Sequence, residues 1–188
     1  MKKATFLVLT LCLLTNPSFA GLSGSAHDFG GCGICHSVHN GIGGGGANFV
    51  ENPVDATEFY SSSTLNADIT LAGVNASDAP FCLTCHDGAS IADGVNAALA
   101  DRIIGNLDIT KDLSNDHPVG FNYSKAALAD PEIRSKEQLS NPAMVSFGPT
   151  LDQMWCSSCH DTHGGVPETA MLVVSNDGSA LCLECHIK

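Results

Sequence analysis

Read as a string of apolar and polar positions, the chain carries one long apolar run and then almost no sustained period. Residues 4–14 form that run behind the basic start Met1-Lys2-Lys3, and a polar stretch ending Ser18-Phe19-Ala20 follows. Beyond it neither helical nor strand periodicity persists, so the predicted elements are short. Ser77-Asp78-Ala79-Pro80-Phe81 and Asp177-Gly178-Ser179-Ala180-Leu181 read as N-caps opening short helices, with Pro80 well placed near the start of the first. Residues 89–104 and 123–139 have some helical character, the second broken near Pro131. The glycine run at 41–46 is a loop, and residues 48–75 mix Ser, Thr, Asn and Asp with scattered apolar residues, which predicts loop with short strands. The expected fold is mostly irregular, with short α-helices and little β.

The apolar run at 4–14 is too short to span a bilayer, which takes ~20 residues as a helix. With its basic start and the small-x-small ending at Ala20 it reads as a signal peptide over 1–20, removed on export. Cys12 leaves with it. The mature chain begins at Gly21 and has no second apolar stretch to hold it in a membrane.

Composition sharpens this picture. The full chain of 188 residues has 8 basic and 20 acidic residues, a formal charge of −12, and loss of Lys2 and Lys3 makes the exported form more acidic still. That balance excludes electrostatic binding to nucleic acid or anionic membranes. Aromatics are only 6%, so a side-chain core would be thin. Nine cysteines and eight histidines stand out instead.

All eight cysteines beyond Cys12 fall into one pattern: Cys32-Gly-Ile-Cys35-His36, Cys82-Leu-Thr-Cys85-His86, Cys156-Ser-Ser-Cys159-His160 and Cys182-Leu-Glu-Cys185-His186. Each is C-x-x-C-H, the attachment signature of c-type haem. At this composition chance supplies ~0.02 such motifs. The chemistry needs the spacing. Two thiols three positions apart on a helical turn add to the two vinyl groups of one porphyrin, and the following imidazole reaches the iron as proximal ligand. Disulfides give no reason for a His after every second Cys. Zinc sites use C-x-x-C pairs but not that fixed His, and a thioredoxin-like redox pair would occur once, within a βαβ pattern.

The cofactor expectation is four haem c, with His36, His86, His160 and His186 proximal. Four histidines remain, His27, His39, His117 and His163, as distal ligands for bis-histidine iron. Met144, Met154 and Met171 are too few for four irons and read as packing residues. His39 and His163 each follow a proximal histidine by three residues, too few to wrap the edge of the same macrocycle, so each is expected on a neighbouring haem. With both axial positions closed no catalytic residue is expected, and the chain reads as an electron carrier and not an enzyme.

Ligand order repeats as H…CxxCHxxH…CxxCH, which divides residues 21–188 into two di-haem units, about 21–110 and 111–188, within one domain. The haems themselves are expected to form the core.

These paired motifs, the CxxCHxxH elements at 32–39 and 156–163, and Asp116-His117-Pro118-Val119-Gly120 resemble the doubled-CXXCH multihaem cytochromes c. The resemblance implies electron transfer at the periplasm or cell surface, to redox partner proteins or insoluble extracellular acceptors. Some members of that kind polymerise into extracellular filaments in which an early histidine ligates a haem of the next subunit, and by that resemblance His27 is the candidate donor and a homopolymer the expected state. A discrete periplasmic or cell-surface shuttle is the alternative. A multihaem reductase would need one iron with an open axial position, and a zinc or disulfide protein would be colourless.

Overall fold

The computed structural model describes residues 27, 35–37, 48–49, 53–88, 109–164 and 169–187. The expectations for the signal peptide, the glycine run, residues 89–104, Cys32 and His39 lie outside the described residues. What is described is mostly irregular chain punctuated by short helices and two-residue strands, as the absence of a sustained period requires.

Among the described residues three strand pairs tie separated segments together. β1 (His36–Ser37) and β2 (Asn48–Phe49) run antiparallel, with His36 opposite Phe49. β3 (Glu58–Phe59) and β4 (Asp112–Leu113) run parallel, and β5 (Phe121–Asn122) lies antiparallel to β6 (Gln153–Met154). Four α-helices accompany them among the described residues: α1 (Leu71–Asn75), α2 (Ala79–His86), α3 (Tyr123–Ala129) and α4 (Ala180–Cys185). No described helix is long and apolar enough to cross a membrane.

Local chemistry accounts for where these elements start. The Thr70 hydroxyl accepts from the Gly73 N–H at 3.0 Å and opens α1, a helix inside a segment whose polar composition predicted loop and strand. Asn122 accepts from the Lys125 N–H at 2.8 Å and opens α3, which ends before Pro131 as expected. α2 and α4 carry the second and fourth cysteine motifs, with Pro80 in the first turn of α2. The first and third motifs differ from the helical expectation: His36 sits in β1, and Cys156–Ser158 is a 3₁₀ turn.

The core is small. Ile69, Val74, Leu83, Leu113, Phe121, Tyr123, Leu139, Val145 and Met154 bury together, with few large aromatic rings among them. Met144 and Met154 are buried, the packing role expected of them. Tyr123 uses its polar end as well, its hydroxyl donating to the Arg134 carbonyl at 2.8 Å.

One close approach needs glycine on both sides. Gly120 has φ +78°, and a Cβ there would lie 2.5 Å from Val74 Cα; a Cβ on Gly73 would lie 2.6 Å from the Gly120 carbonyl oxygen. The contact seats the His117-Pro118-Val119-Gly120 segment against α1, while the Gly120 N–H donates to the Met154 carbonyl at 2.7 Å.

Candidate functional site

Each attachment motif is held by a different local device. In α2, Cys82, Cys85 and His86 fall at i, i+3 and i+4 and so share one helix face. Leu83, at one side of that face, is fully buried and anchors the helix to the core. The motif can therefore present two thiols and an imidazole together without unfolding.

In α4 the equivalent anchoring is polar. Glu184, between the two cysteines, accepts from the Ser140 hydroxyl at 2.8 Å, the Asn141 N–H at 3.2 Å and the Ser140 N–H. Burial pushes its carboxyl up, but these donors outweigh it and hold the group below the usual carboxylate range. Arg134 covers the far end of α4: its N–H donates to the Cys185 carbonyl at 2.8 Å and its Nε to the Leu183 carbonyl at 3.3 Å. A cation there complements the helix dipole.

The third motif is a tight turn. Ser158, wholly buried, accepts from the Trp155 N–H at 2.8 Å, and the Trp155 ring stacks on Phe147 at 5.7 Å. Beyond it, Asp161 accepts from the His163 N–H at 2.9 Å and turns the chain.

The histidines come together in pairs. The rings of His27 and His86 have centroids 6.1 Å apart, those of His36 and His163 5.9 Å, and those of His117 and His186 6.3 Å. Every pair joins one C-x-x-C-H histidine to one histidine from outside the motifs. His160 is the motif histidine without such a ring among the described residues, and His39, the remaining one, lies outside them. His27 faces His86 of its own chain.

The residues fit a haem. Two imidazoles bound to one metal ion, each through a nitrogen at ~2 Å, hold their ring centroids roughly 6 Å apart, the spacing of all three pairs. The His36 and His163 planes differ by only 13°. The tautomers suit ligation too. His117 Nδ1 lies 3.0 Å from the Pro118 carbonyl and His160 Nδ1 2.8 Å from the Ala170 carbonyl. A carbonyl only accepts, so each Nδ1 carries the proton and Nε2 keeps its lone pair for iron. Desolvation by the surrounding chain lowers the pKa of His27 and of His117, aided by His86 and His186 respectively, which favours the neutral imidazole.

The thiols are neighbours across motifs. The Cys156 and Cys82 thiols lie within 4.8 Å of each other, and that proximity together with burial pushes the Cys156 thiol pKa far up; burial beside Cys185 and Cys182 raises Cys159 to about 11. The second motif thus adjoins the third. Asp78, Cys82 and Cys156 bring donor atoms within 4.8 Å of one another, but three ligands fall short of the four of a structural zinc site. Both Asp78 oxygens are also already occupied by N–H and O–H donors of Cys156 and Ser157.

Asp78 departs from its expected role. It stands at the N-terminus of α2 but makes no capping bond there; Ser77 Oγ instead accepts from the Ala79 N–H at 3.1 Å.

Residues 148–188 match the doubled CXXCH motif family. The matched segment contains Cys156–His160 and Cys182–His186, and it supports a multihaem c-type cytochrome that binds haem covalently and transfers electrons. No curated protein and no solved structure matches the chain.

Proposed function

We propose that the chain is an exported electron-transfer protein carrying four covalently attached bis-histidine haems. The single observation that carries this reading is the pairing of rings: His27 with His86, His36 with His163, and His117 with His186, each spaced for one iron between two imidazoles. His39 is the histidine that remains to serve the fourth iron. The haems supply one-electron iron chemistry when bound. The chain's own residues tether, orient and seal them: Cys32, Cys35, Cys82, Cys85, Cys156, Cys159, Cys182 and Cys185 as thioethers, and eight imidazoles as axial ligands.

The cross-pairing of His36 with His163 favours closely spaced haems. His163 is three residues from His160, so a His36–His163 pair on one iron would bring the first and third haems side by side, a short path for electrons. The adjacency of Cys82 to Cys156 supports a second haem close to the third.

The closeness of His27 to His86 of its own chain supports a discrete periplasmic or cell-surface shuttle over a filament built by ligand exchange between subunits. Its acidic surface suits basic redox partners. Intact-mass measurement of the native exported protein, with spectroscopy for spin state, tests the reading. Four haems, all low-spin, six-coordinate and inert to carbon monoxide, are expected. Fewer than four, or an iron that binds carbon monoxide readily, overturns it, and filaments whose haems are ligated across subunits overturn the shuttle.

A further inference from the structure

Asp78 is more than nine-tenths buried, and its interactions leave the helix it begins. Its Oδ1 accepts from the Cys156 N–H at 2.9 Å, and its Oδ2 accepts from the Ser157 N–H at 2.8 Å and the Ser157 hydroxyl at 2.5 Å. Both oxygens accept and neither donates, the pattern of an ionised carboxyl. Asp78 thus belongs in sequence to the second attachment motif and in hydrogen bonding to the third.

The same carboxylate has the thiols of Cys82 and Cys156, one from each motif, within 4.8 Å. A buried negative charge so placed favours the oxidised, more positive form of any iron tethered through those sulfurs, because little water intervenes to screen it.

We propose that Asp78 is a positioning residue shared by the second and third haem sites: its carboxylate locks the two attachment turns together and lowers the reduction potential of both irons. This rests on the four-haem reading. The second and third haems then share one electrostatic control, so a change at Asp78 moves both and leaves the first and fourth nearly alone.

The test compares native haem-loaded wild type with Asp78→Asn and Ser157→Ala, counting haems by mass before redox titration. Wild type with fewer than four haems would defeat the four-haem reading itself, independently of Asp78. With four haems present, Asp78→Asn removes the charge at nearly constant shape. Two of the four reduction steps should then become easier, on the order of tenfold in the reduced-to-oxidised ratio at fixed poise, equal to about 59 mV for a one-electron couple. Ser157→Ala deletes one donor and leaves the charge less compensated, so the same two steps should move the opposite way, by about two- to threefold. Opposite signs at the same two haems is a result that mere loosening of the fold does not produce. No shift in either variant, or an equal shift at all four haems, overturns the proposal. Should Asp78→Asn fail to load four haems, Ser157→Ala alone decides by its sign.

Discussion

The contact between Gly73 and Gly120 can be dissected with three glycine-to-alanine substitutions that separate backbone strain from steric clash. Gly178 has φ +61°, and a methyl group placed there would meet nothing within 4 Å, so Gly178→Ala tests strain alone. A left-handed alanine costs ~1–2 kcal/mol, partly offset by ~0.4–1 kcal/mol of lost unfolded-state entropy, for a net loss of about 1 kcal/mol. Gly73 lies within α1, where replacing glycine by alanine ordinarily gains ~0.5–1 kcal/mol. Its Cβ would meet the Gly120 carbonyl oxygen at 2.6 Å. That overpacking costs ~1–3 kcal/mol, so Gly73→Ala should destabilise by about 1 kcal/mol despite its better helix propensity. Gly120→Ala combines φ +78° with a Cβ 2.5 Å from Val74 Cα, a backbone atom that cannot step aside. Its cost should be roughly 3–4 kcal/mol. At about 2–4 °C per kcal/mol for a chain of this size, thermal melts of the haem-loaded protein should drop little for Gly178→Ala and by roughly 6–16 °C for Gly120→Ala. Because Gly120 closes the segment that begins at His117, Gly120→Ala should also loosen the His117–His186 pair and give one haem partial carbon monoxide binding. A Gly73→Ala protein more stable than wild type, or equal losses for Gly120→Ala and Gly178→Ala, would refute the close approach.

Other outcomes follow from the same geometry. His117→Ala should leave four attached haems but convert one of them to a five-coordinate form that binds carbon monoxide, read in the reduced absorption spectrum; an unchanged spectrum removes His117 as an axial ligand. Replacing both Cys182 and Cys185 with alanine should reduce the attached haems from four to three by intact mass. Arg134→Ala takes away the Nε donor to the Leu183 carbonyl and the cation at the end of α4, which should lower stability by about 1 kcal/mol in urea titrations. Burial, seconded by a neighbouring histidine, holds His27 and His117 below their ordinary 6.5. As the pH falls through 6.5, the unfolded chain takes up protons that the folded chain refuses, so this contribution lowers stability progressively until the depressed folded values are reached. The urea midpoint should therefore be lower at about pH 5.5 than at about pH 7.5, and an equal or higher midpoint at the acid pH contradicts the shift.

What could be read without coordinates was the part that chemistry writes at short range. Cysteine and histidine at fixed offsets declare a covalent attachment motif wherever they fall, because both thiols and the imidazole serve one macrocycle and must be near one another in the chain. The helices Ala79–His86 and Ala180–Cys185 were legible for the same reason, since Pro80 and the residues before each motif act within one turn. The helix at Leu71–Asn75 was hidden because its signal is a single capping threonine within a polar segment.

Partners distant along the chain left no mark in any local pattern. That His163 meets His36, and His27 meets His86, depends on turns such as the one Asp161 makes. Asp78 is likewise indistinguishable from an ordinary helix cap until Cys156 and Ser157 come within 2.9 Å of it. The amino-acid order alone determined the number of attachment motifs and the kind of side chain available to seal them. Folding alone decided which imidazoles face each other and which carboxylate lies between two motifs, because those choices are made by packing segments that are tens of residues apart.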